Sequence, residues 1–297
     1  MSVALLVLPD FLLVALGWIL CHRLGFGRDF FAGCERLTYF VLFPALLITS
    51  IMRTPISLGS AALILQATVL LMVGGIILSW LARWILRPEP RDMASAAQCG
   101  FRFNTYIGLA LSSSLAGAAG QTVMALIVGF AVPLANLAAV YGLARSSGSN
   151  VLGELVRNPL VVSTVVALLA NLAGLQLPGP LDVVMTRLGA ASLALGIICV
   201  GAALSWEGGK GHGPLLGWMI GVKLIAVPAI ALAVATLLDL PPVEKQMLVL
   251  FGALPCASAA YVLAMRMGGN GRMVAVLISL GTLVSAVTIP VWLALAR

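Results

Sequence analysis

The chain has 297 residues, of which 61% are hydrophobic and only 9% charged, with a mean hydropathy of +1.11. A soluble globular domain carries about a quarter charged residues, so this composition excludes a water-facing surface and sets most of the exterior against lipid. The net charge of +7 is not a nucleic-acid footprint, because Lys and Arg stand singly between apolar runs and form no basic stripe interleaved with aromatics.

Crossing the hydrocarbon core takes about 20 mostly apolar residues. Ten such runs follow in chain order, at 3–22, 35–52, 60–84, 94–115, 121–143, 158–176, 183–205, 214–238, 245–266 and 273–296. The first has no basic n-region and is interrupted by Asp10, so it is expected to be retained rather than cleaved as a signal peptide. Gly-Phe-Gly-Arg-Asp follows the first run, Arg-Pro-Glu-Pro-Arg-Asp the third and Ser-Ser-Gly-Ser-Asn the fifth, while Pro178-Gly179-Pro180 and Pro241-Pro242 close the sixth and eighth. The loops on one side carry eleven Lys or Arg, among them Arg28, Arg91, Arg145 and Arg272, against four on the other. The positive-inside rule makes the first side cytoplasmic and predicts a multi-pass bacterial inner-membrane protein with both termini on the periplasmic side. The five cysteines are scattered, with neither metal spacing nor a disulfide pattern, and are read as small packing residues, Cys256 excepted.

Five runs in each half, 1–145 and 146–297, would make two similar halves enter the membrane in opposite directions, as in the inverted repeats of secondary transporters. At an offset of 151 residues Arg36-Leu37 meets Arg187-Leu188, Gly117 meets Gly268, Gly120 meets Gly271, and Leu126-Ile127 meets Leu277-Ile278. The same offset sets Asn104, in the fourth run, opposite Pro255, in the ninth. Pro255 removes a backbone donor and clashes with the preceding turn. Asn104 offers side-chain bonds that compete with the helix. Opened backbone at membrane depth persists only where protein or a water-filled cavity receives its polar groups, so two paired breaks point to a transport site.

The charge inventory bounds what such a site takes. Of ten acidic residues all but Asp10 fall in loops or at run ends, which leaves no mid-membrane carboxylate pair, no metal site and no cofactor motif. Two cations, Arg102 and Lys223, lie inside runs. A cation at the centre of a helix costs about 2.5–3.5 kcal/mol on insertion scales, and an anion is its simplest partner. The N-termini of half-helices add unpaired N–H groups and partial positive charge. Arg102 either attracts an anionic substrate or reaches a wet vestibule, a helix C-terminus or lipid phosphates. Lys223 either donates to carbonyls of the broken ninth helix or stands where a coupling cation would otherwise bind. Gln98, Thr105, Tyr106, Asn136, Ser258 and Tyr261 either orient a carboxylate or make interhelical hydrogen bonds. Cys256 and Ala257 are small enough for a substrate to approach backbone N–H groups, and Tyr39, Phe40, Phe43 and Pro44 either wall the pathway or pack against neighbours. An intramembrane enzyme would need buried paired acids, a Ser–His dyad or metal ligands, whereas His22 and His212 fall in loops.

The stretches Leu-Thr-Tyr-Phe-Val-Leu-Phe-Pro-Ala-Leu-Leu (37–47), Phe-Arg-Phe-Asn-Thr-Tyr-Ile-Gly-Leu-Ala (101–110), Val-Pro-Leu-Ala-Asn (132–136), Arg-Asn-Pro-Leu (157–160), Leu-Pro-Cys-Ala-Ser-Ala-Ala-Tyr-Val-Leu-Ala (254–264) and a closing Thr-Ile-Pro occur in order. With them the chain resembles, over essentially its whole length, the auxin efflux carrier family, which includes plant auxin exporters and bacterial malonate or malate carriers. The resemblance implies an all-α membrane fold of ten helices in two inverted five-helix repeats, with helices 4 and 9 broken and crossing at Asn104 and Pro255. It implies a scaffold of helices 1, 2, 6 and 7, a moving domain of helices 3–5 and 8–10, and a possible homodimer. The plant exporters have Asn-Pro or Pro-Asn character at both crossings, whereas here Phe103 precedes Asn104 and Cys256 follows Pro255. Their long cytoplasmic loop is missing between Arg145 and Arg157, as in bacterial members. The expected function is sodium-independent carriage of a small organic anion, a mono- or dicarboxylate, by elevator-type alternating access within the lipid bilayer. The alternatives are an exporter of an auxin-like amphipathic weak acid and a sodium-coupled anion symporter of bile-acid-transporter-like architecture.

Overall fold

Lipid offers no hydrogen bonds to an exposed main chain, so a chain this apolar must satisfy its backbone within helices or a closed barrel. The structure is a computed structural model that describes residues 3–53, 62–147, 157, 159–203 and 211–296, and every regular element among them is a helix. Helix α1 spans Val3–His22. Helices α2 (Arg28–Leu37) and α3 (Phe43–Met52) run on from each other through a π-helical turn, Thr38–Leu42. There follow α4 (Ala62–Ile85), α5 (Pro90–Phe101), α6 (Thr105–Ser147), α7 (Pro159–Leu172) and α8 (Gly179–Ala203). Helices α9 (Gly213–Gly221) and α10 (Val227–Leu237) are joined by a second π-helical turn, Val222–Ala226. The chain closes with α11 (Pro242–Ala253), α12 (Ala259–Arg266) and α13 (Gly271–Leu295).

Six described segments are long and apolar enough to cross a bilayer: Arg28–Thr49, Ala62–Ile85, Leu126–Ser146, Gly179–Cys199, Gly213–Leu237 and Gly271–Leu295. They correspond to the second, third, fifth, seventh, eighth and tenth predicted runs. The fourth and ninth are each cut into two shorter helices, at 102–104 and 254–258, so neither half reaches spanning length. The second run starts at Arg28 rather than 35. Its polar first turns look like a loop to hydropathy, yet Asp29 complements the helix N-terminus and Phe31, 1% exposed, anchors the inner face. Helix α6 contains one real break, at Ala116 (φ −138°) and Gly117 (φ 60°), where the left-handed backbone suits glycine.

The 151-residue offset recurs in the element boundaries. It carries Arg28, the start of α2, onto Gly179, the start of α8. It also carries α5 to within one residue of α11, and Gly117 (φ 60°) onto Gly268 (φ 71°). Packing concentrates in two groups. Helices α1, α3, α7 and α8 lie against one another, whereas α4, α5, α6 and α9–α13 share the larger buried core. Within the second group one carboxylate gathers three helix starts. Asp92, in the first turn of α5, accepts from Asn270 Nδ2 (2.9 Å), the cap of α13, and lies 3.3 Å from Nδ1 of His212, the cap of α9.

The first group depends on close backbone approach, as lipid-embedded helices do where a small residue faces a neighbour. A Cβ at Gly17 of α1 would run into the main-chain carbonyl of Ile198 on α8, whereas one at Gly33 of α2 meets nothing within 4 Å. We therefore expect Gly17→Val to destabilise the protein by roughly 1–3 kcal/mol, as overpacking does. Gly33→Ala, in open space inside a helix, should leave stability unchanged or raise it by up to about 1 kcal/mol. Thermal melting of the two purified variants in detergent checks this.

Candidate functional site

The two breaks answer one another. Helix α5 ends as Arg102 turns to extended backbone (φ −71°, ψ 155°), and α11 ends as Leu254 does the same (φ −61°, ψ 140°). Two short open segments result, 102–104 and 254–257. The Asn104 N–H, which no helix uses, donates to the Pro255 carbonyl at 2.8 Å, so the segments cross and close each other's main chain. Asn104 then starts α6: its side-chain Oδ1 accepts from the Ile107 N–H (3.2 Å) and its carbonyl from the Gly108 N–H (3.1 Å), an N-cap arrangement. On the other side the Ser258 carbonyl accepts from the Tyr261 N–H at 3.0 Å as α12 begins. Two helix N-termini thus start at the crossing, each with its partial positive end there.

The buried cations divide. Arg102, 5% exposed, donates from Nη2 to Asn136 Oδ1 (2.7 Å) on α6, while its Nε–H is buried with no partner among the described residues. Lys223, in the second π-helical turn, donates to the Gly252 carbonyl (3.2 Å) in the last turn of α11, as one of the two sequence-based readings expects. Gln98 ties α5 to α12 through the Ala260 carbonyl (3.2 Å). Cys256 is buried, its Sγ 3.6 Å from the Ala257 carbonyl and beside the Cys99 thiol of α5. Phe103, where the plant exporters differ, packs its ring 4.4 Å from that of Phe251.

A cavity of about 70 Å³ opens at the crossing. Of the residues singled out in the sequence it brings together Arg102, Asn104, Thr105, Asn136, Ala257, Ser258 and Phe43. Pro255, Cys256, Gln98 and Lys223 stand behind this lining as supports. The side chain of Tyr106 lies outside the described residues. Sequence reasoning missed the apolar wall, made by Leu46, Leu47, Phe103, Val132, Ala135 and Ala259. The one signal for it was helical spacing, because Leu46 and Leu47 follow Phe43 by three and four positions and Val132 precedes Asn136 by four.

Tyr39 and Tyr261 do not line this cavity. A second one, of about 610 Å³, lies on the face where Arg28, Arg91 and Arg272 gather, and is also lined by Asp29, Glu35, Tyr261 and Met265. Both tyrosines are buried, Tyr261 in the lining of this second cavity and Tyr39 in neither. The Tyr261 hydroxyl meets the Glu35 carboxyl group, with Arg28 close by. The Arg266 guanidinium lies 5.6 Å from the Tyr39 ring centroid and 4.5 Å from that of Phe40. These contacts bridge α2 and its π-helical turn to α12.

The model of the family described as membrane transport protein matches residues 143–293, just over half of the chain. The chain belongs to that family, the auxin efflux carriers. It is also similar to the uncharacterized transporter YfdV of Escherichia coli K12, of Escherichia coli O157:H7 and of Shigella flexneri. Each is 24% identical over 306 residues, covering 98% of this chain and 96% of the relative. It is therefore a membrane transporter with multiple spans.

Asn104 serves the main chain and the cavity at once, and two substitutions separate these duties. Asn104→Ala removes the cap and should cost about 0.5–2 kcal/mol of stability. Asn104→Asp keeps a good cap, so melting should hardly change, while the added negative charge beside Arg102 should weaken anion binding at least tenfold. Melting curves and ligand titration on both variants test the pair.

Proposed function

We propose that the chain is a secondary carrier of a small organic anion, bound where the segments around Asn104 and Pro255 cross. One observation carries this reading: Arg102, held by Asn136, is the one charged side chain among the described residues that line the cavity, between two helix N-termini. A cation held there loses hydration worth several kcal/mol, which a carboxylate offsets by a charge-assisted hydrogen bond. Asn136 orients the guanidinium, and Thr105 and Ser258 are positioned to hydrogen-bond the second carboxylate oxygen.

The carrier works as two inverted five-helix repeats, 1–145 and 146–297, a reading supported by the shared 151-residue spacing of element boundaries. Helices α1, α2–α3, α7 and α8 form its scaffold, and the remaining helices form the moving domain. The sparse packing between the two groups favours sliding of one past the other in elevator fashion. With both termini on the periplasmic side of a bacterial inner membrane, the arginine-rich cavity faces the cytoplasm. No acidic side chain is among the described residues that line the crossing cavity, and this supports sodium independence. By resemblance the protein assembles as a homodimer.

The purified protein in liposomes should catalyse counterflow of a labelled organic acid at the same rate with sodium or potassium outside. Arg102→Gln should reduce that flux at least a hundredfold while preserving the melting profile. Strict sodium stimulation, or full flux through the Arg102→Gln protein, would overturn the reading.

A further inference from the structure

We infer that the cargo is a small monocarboxylate with a short apolar tail, and that dicarboxylates are rejected. This rests on the organic-anion reading above and concerns the same cavity. Arg102 is the one charged side chain among the described residues that line it. The second buried cation, Lys223, is committed to the Gly252 carbonyl and does not reach the lining. A second carboxylate would therefore find no side-chain counter-charge in the lining and only the partial charge of the helix N-termini to offset its lost hydration.

The guanidinium, held at Nη2 by Asn136, is a single positive charge and so balances a single carboxylate. Away from Arg102 the wall is hydrocarbon: Phe43, Leu46, Leu47, Phe103, Val132 and Ala135 present no donor to a second acid or to a hydroxyl. The cavity of about 70 Å³ is small, and its apolar wall suits a short aliphatic tail. Polar contacts at one end and apolar contacts at the other match a short aliphatic acid.

The test is competition in reconstituted liposomes near neutral pH. Labelled propionate is the exchanged probe, with unlabelled butyrate, malonate, succinate and indole-3-acetate as competitors. Butyrate should compete at least tenfold more strongly than malonate or succinate, and more strongly than the indole acid. Val132→Lys, which adds a second cation one turn from Asn136, should shift preference toward malonate by at least tenfold. Leu47→Ala should admit hexanoate. If the wild-type protein exchanges malonate or succinate as well as propionate, or favours the indole acid, this inference falls and the organic-anion reading stands. If no carboxylate of any kind is exchanged or bound, the underlying reading falls first. The wild-type competition decides even where a variant fails to fold.

Discussion

An open main chain inside a membrane has no water to turn to, and that constraint organises this protein. Breaking one helix would leave N–H and carbonyl groups stranded in lipid. Breaking two and crossing them lets the Asn104 N–H use the Pro255 carbonyl. Around that link the remaining polar groups are settled locally: Asn104 caps α6, Lys223 takes a terminal carbonyl of α11, and Gln98 takes one from α12. Among the described residues near the crossing, Gln98 Oε1 and the Arg102 Nε–H are buried without a partner, and the guanidinium and the beginnings of two helices favour negative charge.

The two buried cations show how position rather than residue type divides labour. Lys223 is a compact donor that reaches one carbonyl and stops there, a structural tie between the second π-helical turn and the broken helix. Arg102 has more donors than the protein uses, since Asn136 satisfies one edge and Nε–H is left over. A different kind of polar contact runs between the two helix groups, where Glu35 meets Tyr261 and Arg266 stacks over Phe40 and Tyr39. These pairings tie α12 to α2 and its π-helical turn, outside the lining of the crossing cavity.

Much of this was legible in the residues, for reasons specific to each place. Hydropathy located the long apolar helices because lipid leaves them little choice. Asn104 and Pro255 were visible because each is a helix breaker inside an otherwise apolar run, and Gly117 and Gly268 because left-handed backbone suits glycine. The beginning of α2 was hidden, since its polar turns lie beyond the apolar stretch and only Phe31 marks a buried face. The apolar wall of the cavity was hidden for the opposite reason. In a chain that is 61% hydrophobic, Leu46 or Val132 carries no contrast against its neighbours. Tyr39 and Tyr261 stood out by type, but only the three-dimensional arrangement shows that Tyr261 lines the second cavity and that Tyr39 lines neither.

The Asp92 cluster bears on how the molecule comes together. Asp92 is made early in synthesis, while His212 and Asn270, which close around it, belong to the second half of the chain. Until those later residues have been inserted, a carboxylate near the start of α5 waits without its companions. The finished cluster therefore forms only once both halves of the chain have been made, and it joins them at three helix starts.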